Sequence, residues 1–189
     1  RRVLFRSSRL NAGFVGETVA MLAELGVSHV SIAFPHALGT ARKLWDAVVP
    51  RYDDVVPAVT RAIDLAESLG LSVDAETFMY CQLEGRERFI TEIAQQLERY
   101  VELRQYGAED EVIDWTVVRR QIKRKFASCR ACRFDPVCEG PWMEYADRYG
   151  SGEFRAIFGV RVTDVRAILD GSFLAHDDLL DAVRPPIPP

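Results

Sequence analysis

The chain reads as an α/β protein in which a parallel sheet or barrel segment is followed by a mostly helical, cysteine-rich extension. Three observations predict this. Two helix–glycine–strand units stand in series, the texture changes after Cys81, and three cysteines crowd between positions 129 and 138.

The first unit runs from Val15 to Leu25, with apolar Val15, Val19, Leu22 and Leu25 at helical spacing and Gly26 as a left-handed stop. His29-Val30-Ser31-Ile32-Ala33-Phe34 then reads as a strand covered on both faces, and Pro35 ends it. The second unit repeats the grammar: Val55, Val59, Ile63, Ala66 and Leu69 form a stripe, Gly70 closes it, and Leu71 to Phe78 reads as a strand. The junctions Leu22-Ala23-Glu24-Leu25-Gly26-Val27-Ser28 and Leu65-Ala66-Glu67-Ser68-Leu69-Gly70-Leu71-Ser72 match each other. Helix-capping rules alone can produce such a match, so it speaks for a parallel architecture and not for function. Beyond Cys81 the spacing of Phe89, Ile93, Leu97, Tyr100 and Val101 predicts one amphipathic helix from about Arg86 to Tyr106, stopped by Gly107. A short helix is expected near Asp164 to Leu169, and Arg184-Pro185-Pro186-Ile187-Pro188-Pro189 is expected to be extended.

With 189 residues, 48% of them hydrophobic, the chain can bury a sizeable core. Its 24 Lys and Arg against 28 Asp and Glu leave a net charge of -4, which argues against a dedicated nucleic-acid binder. No apolar run approaches the roughly 20 residues needed to cross a bilayer, and no signal-peptide pattern opens the sequence. The expectation is therefore a cytoplasmic protein with no membrane and no nucleic-acid partner. Thiols in a reducing compartment are poor disulfide candidates, so the four cysteines point to metal.

Residues 1–7, Arg1-Arg2-Val3-Leu4-Phe5-Arg6-Ser7, are what one reading frame of a common sequencing-library adapter encodes. They are expected to be a non-native scar, dispensable for folding, with the native sequence starting near Ser8. An ordinary basic segment is the alternative.

Cys129 and Cys132 form a C-x2-C pair, and Cys138 completes C-x2-C-x5-C. A pair two residues apart turns both sulfurs to one centre, and the arc containing Pro136 carries the third to another iron of a cube. Cys81, after the last strand, is the expected fourth ligand. Four thiolates also suit zinc, although structural zinc sites usually bring two short-range pairs rather than a trio and a singleton. A zinc-stabilised binding module, its basic run contacting a partner, is thus the alternative. Arg119, Arg120, Lys123, Arg124, Lys125, Arg130 and Arg133 lead into the cysteines without an acidic residue among them and would offset the charge of an iron–sulfur site. The bland reading of that run is a solvated helix face.

The segment C-x2-C-x5-C followed by Glu139-Gly140-Pro141-Trp142, Glu144-Tyr145, Tyr149-Gly150 and Glu153-Phe154-Arg155 resembles the C-terminal end of radical S-adenosylmethionine (radical SAM) proteins. Its cysteine spacing is similar to the core of their SPASM and twitch auxiliary-cluster domains. Upstream, Asn11, Glu24-Leu25-Gly26-Val27, Phe34-Pro35, Gly39, Val49-Pro50-Arg51-Tyr52 and Tyr80-Cys81 with Leu83, Glu84 and Gly85 fit the same pattern. The resemblance covers roughly Ser8 to Phe158. It departs in two places: Trp142 stands where a SPASM domain has a further cysteine, and no C-x3-C-x2-C loop for the catalytic cluster is present.

The resemblance implies that residues 8–80 are the C-terminal part of a partial (β/α) radical SAM barrel. Residues 81–158 would be an auxiliary cluster-binding extension, and 159–189 a tail. Cys81, Cys129, Cys132 and Cys138 would hold an auxiliary [4Fe–4S] cluster. The intact parent would use S-adenosylmethionine and a catalytic [4Fe–4S] cluster to generate a 5′-deoxyadenosyl radical, with a flavodoxin or ferredoxin as electron donor. The fragment alone would be inactive, its catalytic residues and substrate unassigned. Asn11 and Phe34, near strand ends, would contact S-adenosylmethionine, against the plainer readings of a helix-capping Asn and a core Phe. A barrel cut open would leave strand His29 to Phe34 with an unpaired edge. His29 and His176 read as structural or solvated, His36 as a loop histidine without a partner, and Trp115 and Trp142 as packing around the cluster.

Overall fold

The computed structural model describes residues 1–98, 101–106 and 109–174, the side chains of 101–113 and 116 excepted. Three parallel strands, β1 (Arg2–Arg6), β2 (His29–Ala33) and β3 (Ser72–Glu76), form an open sheet in the order β1-β2-β3. Helix α1 (Val15–Glu24) connects the first two strands. The second connection passes through α2 (Gly39–Lys43), α3 (Trp45–Val48) and α4 (Tyr52–Ser68). The α1 stripe of Val15, Val19 and Leu22 and the α4 stripe of Val55, Val59, Ala62, Ile63 and Ala66 share a buried cluster with Val30, Ile32, Val73 and Ala75. The mixed α/β class and both helix–glycine–strand units are as the sequence predicts.

The two units end alike because each helix closes with the same paired backbone bonds. Gly26 and Gly70 both have φ of 71°. Val27 N–H bonds Leu22 O at 3.0 Å and Leu71 N–H bonds Ala66 O at 2.9 Å, while each glycine N–H reaches the carbonyl three residues back. Only a residue without Cβ adopts that conformation cheaply, and it aims the chain straight into the next strand.

Residues 2–6 correct the expectation that strand His29 to Phe34 has an unpaired edge. They are an edge strand, with Arg2 paired to His29 and Arg6 to Ala33 in register, and Val3 and Phe5 packed against the core. The physical reason is the alternation of Val3 and Phe5 with Arg2, Leu4 and Arg6, which suits an edge strand whatever its origin. Consequently β2 is central and has neighbours on both sides, so the outer strands of the sheet are β1 and β3 and not His29–Phe34.

The single helix expected from Arg86 to Tyr106 is also corrected. A 3-10 turn (Glu87–Phe89) and a short α5 (Glu92–Leu97) take its first half. Then β4 (Val101–Tyr106) pairs antiparallel with β5 (Glu109–Asp114), Tyr106 opposite Glu109. Such register fits two runs separated in sequence by the pair Gly107-Ala108, a hairpin signal that the helical spacing of the earlier apolar residues masked. Tyr100 and the Gly107 stop lie outside the described residues, as do His176 and the proline-rich end.

The extension continues through α6 (Trp115–Ile122), a 3-10 turn (Ala127–Ala131), α7 (Met143–Tyr149) and α8 (Arg166–Leu169), the last where a short helix is predicted. It shares one continuous core with the sheet. Phe34 stacks on Tyr52 at 3.8 Å and meets Tyr145 edge-on at 5.6 Å, while Tyr145 Oη accepts the Tyr52 backbone N–H at 3.0 Å. Trp45 Nε1 donates to Tyr149 Oη at 3.0 Å, and Arg51 pairs with Glu153 at 3.1 Å.

Candidate metal centre

Cys81 follows the turn that leaves β3, and the trio sits on and just after the Ala127–Ala131 turn. That turn places Cys129 and Cys132 close together, with Cys132 N–H bonded to Cys129 O at 2.9 Å. Cys138 N–H bonds Phe134 O at 2.7 Å, which curls the intervening arc. All four are free thiols, Cys132 buried and the others half-buried.

Cys81 and Cys138 sense the charges of other cysteines. Burial pushes Cys81 up to about 11, and the charges of Cys132 and Cys129 add to that push. Burial likewise raises Cys138 to about 12, with Cys81 and Cys129 contributing. Each sulfur also has a backbone amide beside it. Phe126 N–H donates to Cys129 Sγ and Ile157 N–H to Cys132 Sγ, both at 3.4 Å. The amides of Arg155 and Gly140 favour the charged forms of Cys81 and Cys138. Amides aimed at sulfur stabilise thiolate over thiol, the pattern found around metal-bound cysteines. Desolvated thiolates that repel each other are unfavourable until a positive centre enters, so binding a metal here would release protons.

Among the described residues, no group of three or more His, Cys, Asp or Glu side chains is gathered as a metal-ion site. The four cysteines are thus not gathered as a site for a single ion. Zn–S bonds of about 2.3 Å would place four sulfurs within about 4 Å of one another.

The walls around the cysteines differ from the expected ones. Tyr80 stacks on Phe134 at 4.7 Å, and its phenol is held up by burial and by the nearby Cys138. Trp115 and Trp142 line a cavity of about 290 Å³ with Phe34, His36, Glu76 and Thr77, at the carboxyl ends of the parallel strands. That is where open α/β sheets place ligands. Trp142 lies flat on His36, centroids 3.9 Å apart.

Phe34 is 2% exposed and packs as a core residue, and it also borders that strand-end cavity. Asn11 is tied up locally: Oδ1 accepts from Ser8, and Nδ2 donates to Arg6 O at 2.8 Å. It makes no side-chain cap to the turn it precedes.

The basic run is divided, with Arg120, Arg124, Lys125 and Arg130 exposed as a solvated face would be and the other three not. Arg119, Lys123 and Arg133 are buried, and Lys125, paired with Asp135 at 3.2 Å, favours the charged form of Cys138. His29 pairs with Asp74 at 2.7 Å, and His36 has a carboxylate after all, Glu144 at 3.8 Å. Neither pairing was visible in the sequence, because the partners come from distant segments. Comparison with protein-family models, curated proteins and solved structures finds no match to this chain. No helix among the described residues is long and apolar enough to cross a membrane.

Proposed function

We propose that Cys81, Cys129, Cys132 and Cys138 hold an auxiliary [4Fe–4S] cluster, and that the chain is the C-terminal portion of a radical SAM enzyme. The observation that carries the cluster reading is the set of four electrostatically linked thiols, each with a backbone amide at its sulfur. A local trio with one remote cysteine suits a cube, which meets each thiolate at a separate corner, better than the two short-range pairs usual for structural zinc. When bound, such a cluster supplies one-electron chemistry or support of the fold. Cys81 and the trio hold it, Tyr80 and Phe134 limit water on one side, and Lys125 offsets negative charge.

The radical SAM reading rests on the motif resemblance together with the parallel strands and their strand-end cavity. In that reading β2 and β3 are the last strands of a (β/α) barrel, and S-adenosylmethionine and substrate meet at the cavity bordered by Phe34. The parent's catalytic cluster and its flavodoxin or ferredoxin donor lie beyond these residues.

Anaerobic reconstitution of the chain with iron and sulfide tests the cluster. Brown protein with about four irons and four sulfides per chain, lost when any of the four cysteines becomes Ser, is the expected result. Colourless protein holding one zinc ion would replace it with the zinc-module reading.

A further inference from the structure

Lys123 sits at the crossing of two segments that carry cysteines. Its side chain is 2% exposed, and its Nζ lies 3.0 Å from Glu92 Oε1 and 2.8 Å from Glu139 Oε2. Glu139 directly follows Cys138. Its other oxygen receives Arg119 Nη2 at 3.1 Å, so two carboxylates and two cations close a neutral buried network. On the opposite side, Glu92 accepts the backbone N–H of Thr77 at 3.1 Å. Thr77 begins the turn from β3 toward Cys81 with φ of 64°, a left-handed conformation that a β-branched residue adopts only when its surroundings hold it there. Tyr52 Oη donating to Thr77 O at 2.9 Å is the second restraint.

The backbone around Lys123 is tied down as well. Lys123 bridges Trp142 in antiparallel fashion, and Arg124 N–H bonds Pro141 O at 2.9 Å. Gly140, with φ of 80°, lies so close that a Cβ there would collide with the Arg124 carbonyl. The lysine therefore reaches Glu139 from a fixed base.

We propose that Lys123 is a positioning residue for the cluster-binding cysteines: by bridging Glu92 and Glu139 it fixes the Cys81 turn against the Cys138 segment. This rests on the reading that those cysteines hold a cluster. A buried ion network is weak as a source of stability, since apolar side chains of equal volume often do as well, and its best-attested use is to specify one arrangement. Here the arrangement specified is the distance between the one remote ligand and the local trio.

The test compares wild-type full chain, Lys123→Met, Lys123→Arg, and the double variant Lys123→Met with Glu92→Gln, which removes the buried charge left behind by the single change while Glu139 keeps Arg119. Each is reconstituted with iron and sulfide, and the rate of iron loss to a chelator and the cluster reduction potential are measured. Circular dichroism and melting report folding independently. The expected result is that the double variant folds but releases iron at least about tenfold faster, with a shifted potential, while Lys123→Arg restores both toward wild type. A folded double variant with wild-type release rate and potential overturns the inference alone. Wild-type chain that takes up no iron overturns the cluster reading and this inference with it.

Discussion

The imidazole of His36 lies on the indole of Trp142, ring planes 5° apart, so the loop leaving β2 and the residue before α7 are held face to face. Burial lowers the His36 pKa from its ordinary 6.5, with Glu144 opposing that shift and the positive charges of Lys123 and Arg6 assisting it. The folded state therefore holds His36 neutral where the unfolded chain would protonate it. Stability from this site is complete above about 6.5 and falls as pH drops toward the lower folded value. Melting temperatures of wild type and His36→Gln measured between pH 5 and 8 should diverge accordingly, the variant losing the part of the acid-side slope that His36 supplies. Parallel slopes would remove His36 from the account.

Burial makes a second expectation concrete, in the metal-free protein. With thiols raised to about 11 at Cys81 and about 12 at Cys138, little thiolate exists at pH 8. Alkylation follows the thiolate, so both should react about a hundredfold or more slower than a small free thiol of pKa ~8.5, and accelerate steadily as pH rises. Peptide mass spectrometry after timed iodoacetamide pulses reads this directly. Rapid labelling of Cys81 and Cys138 at pH 7 would mean that their sulfurs are not desolvated as described.

Deleting residues 1–7 should no longer be neutral. The deletion removes β1, the packing of Val3 and Phe5, and the bond from Ser7 N–H to Ala33 O at 2.8 Å. Half-burial of two such side chains is worth about 1–3 kcal/mol, a drop of several degrees in melting temperature. The newly bared edge of β2 should also promote association, visible by light scattering. An unchanged melting temperature and a monodisperse monomer would return the segment to the status of a passenger.

What the sequence made legible was local. The helix–glycine–strand units could be read because the stripe, the stop and the strand follow one another within each unit, and Gly26 and Gly70 announce the same closing bonds. The hairpin was hidden because Val101 extends the helical stripe of Phe89, Ile93 and Leu97 while also suiting a strand, and periodicity alone does not separate the two. The cysteines were recognisable from spacing, but the company they keep was not. Tyr80 and Phe134 meet across more of the chain than any pattern spans, as do Lys123, Glu92 and Glu139. Trp142 was misassigned for the same reason: closeness to Cys138 in sequence suggested a shield, whereas packing turns it to His36 and the strand ends.

The contact at Gly140 also bears on how the cysteine segment comes apart. Because the backbone there abuts the Arg124 carbonyl with no side chain between them, the seam has no soft layer to swell or slide. Partial loosening would have to break the Arg124–Pro141 bond and expose the charges behind it together. Under heat or denaturant the segment should peel in one sharp step and reseat the same way, so the loop would act as a latch rather than as a hinge.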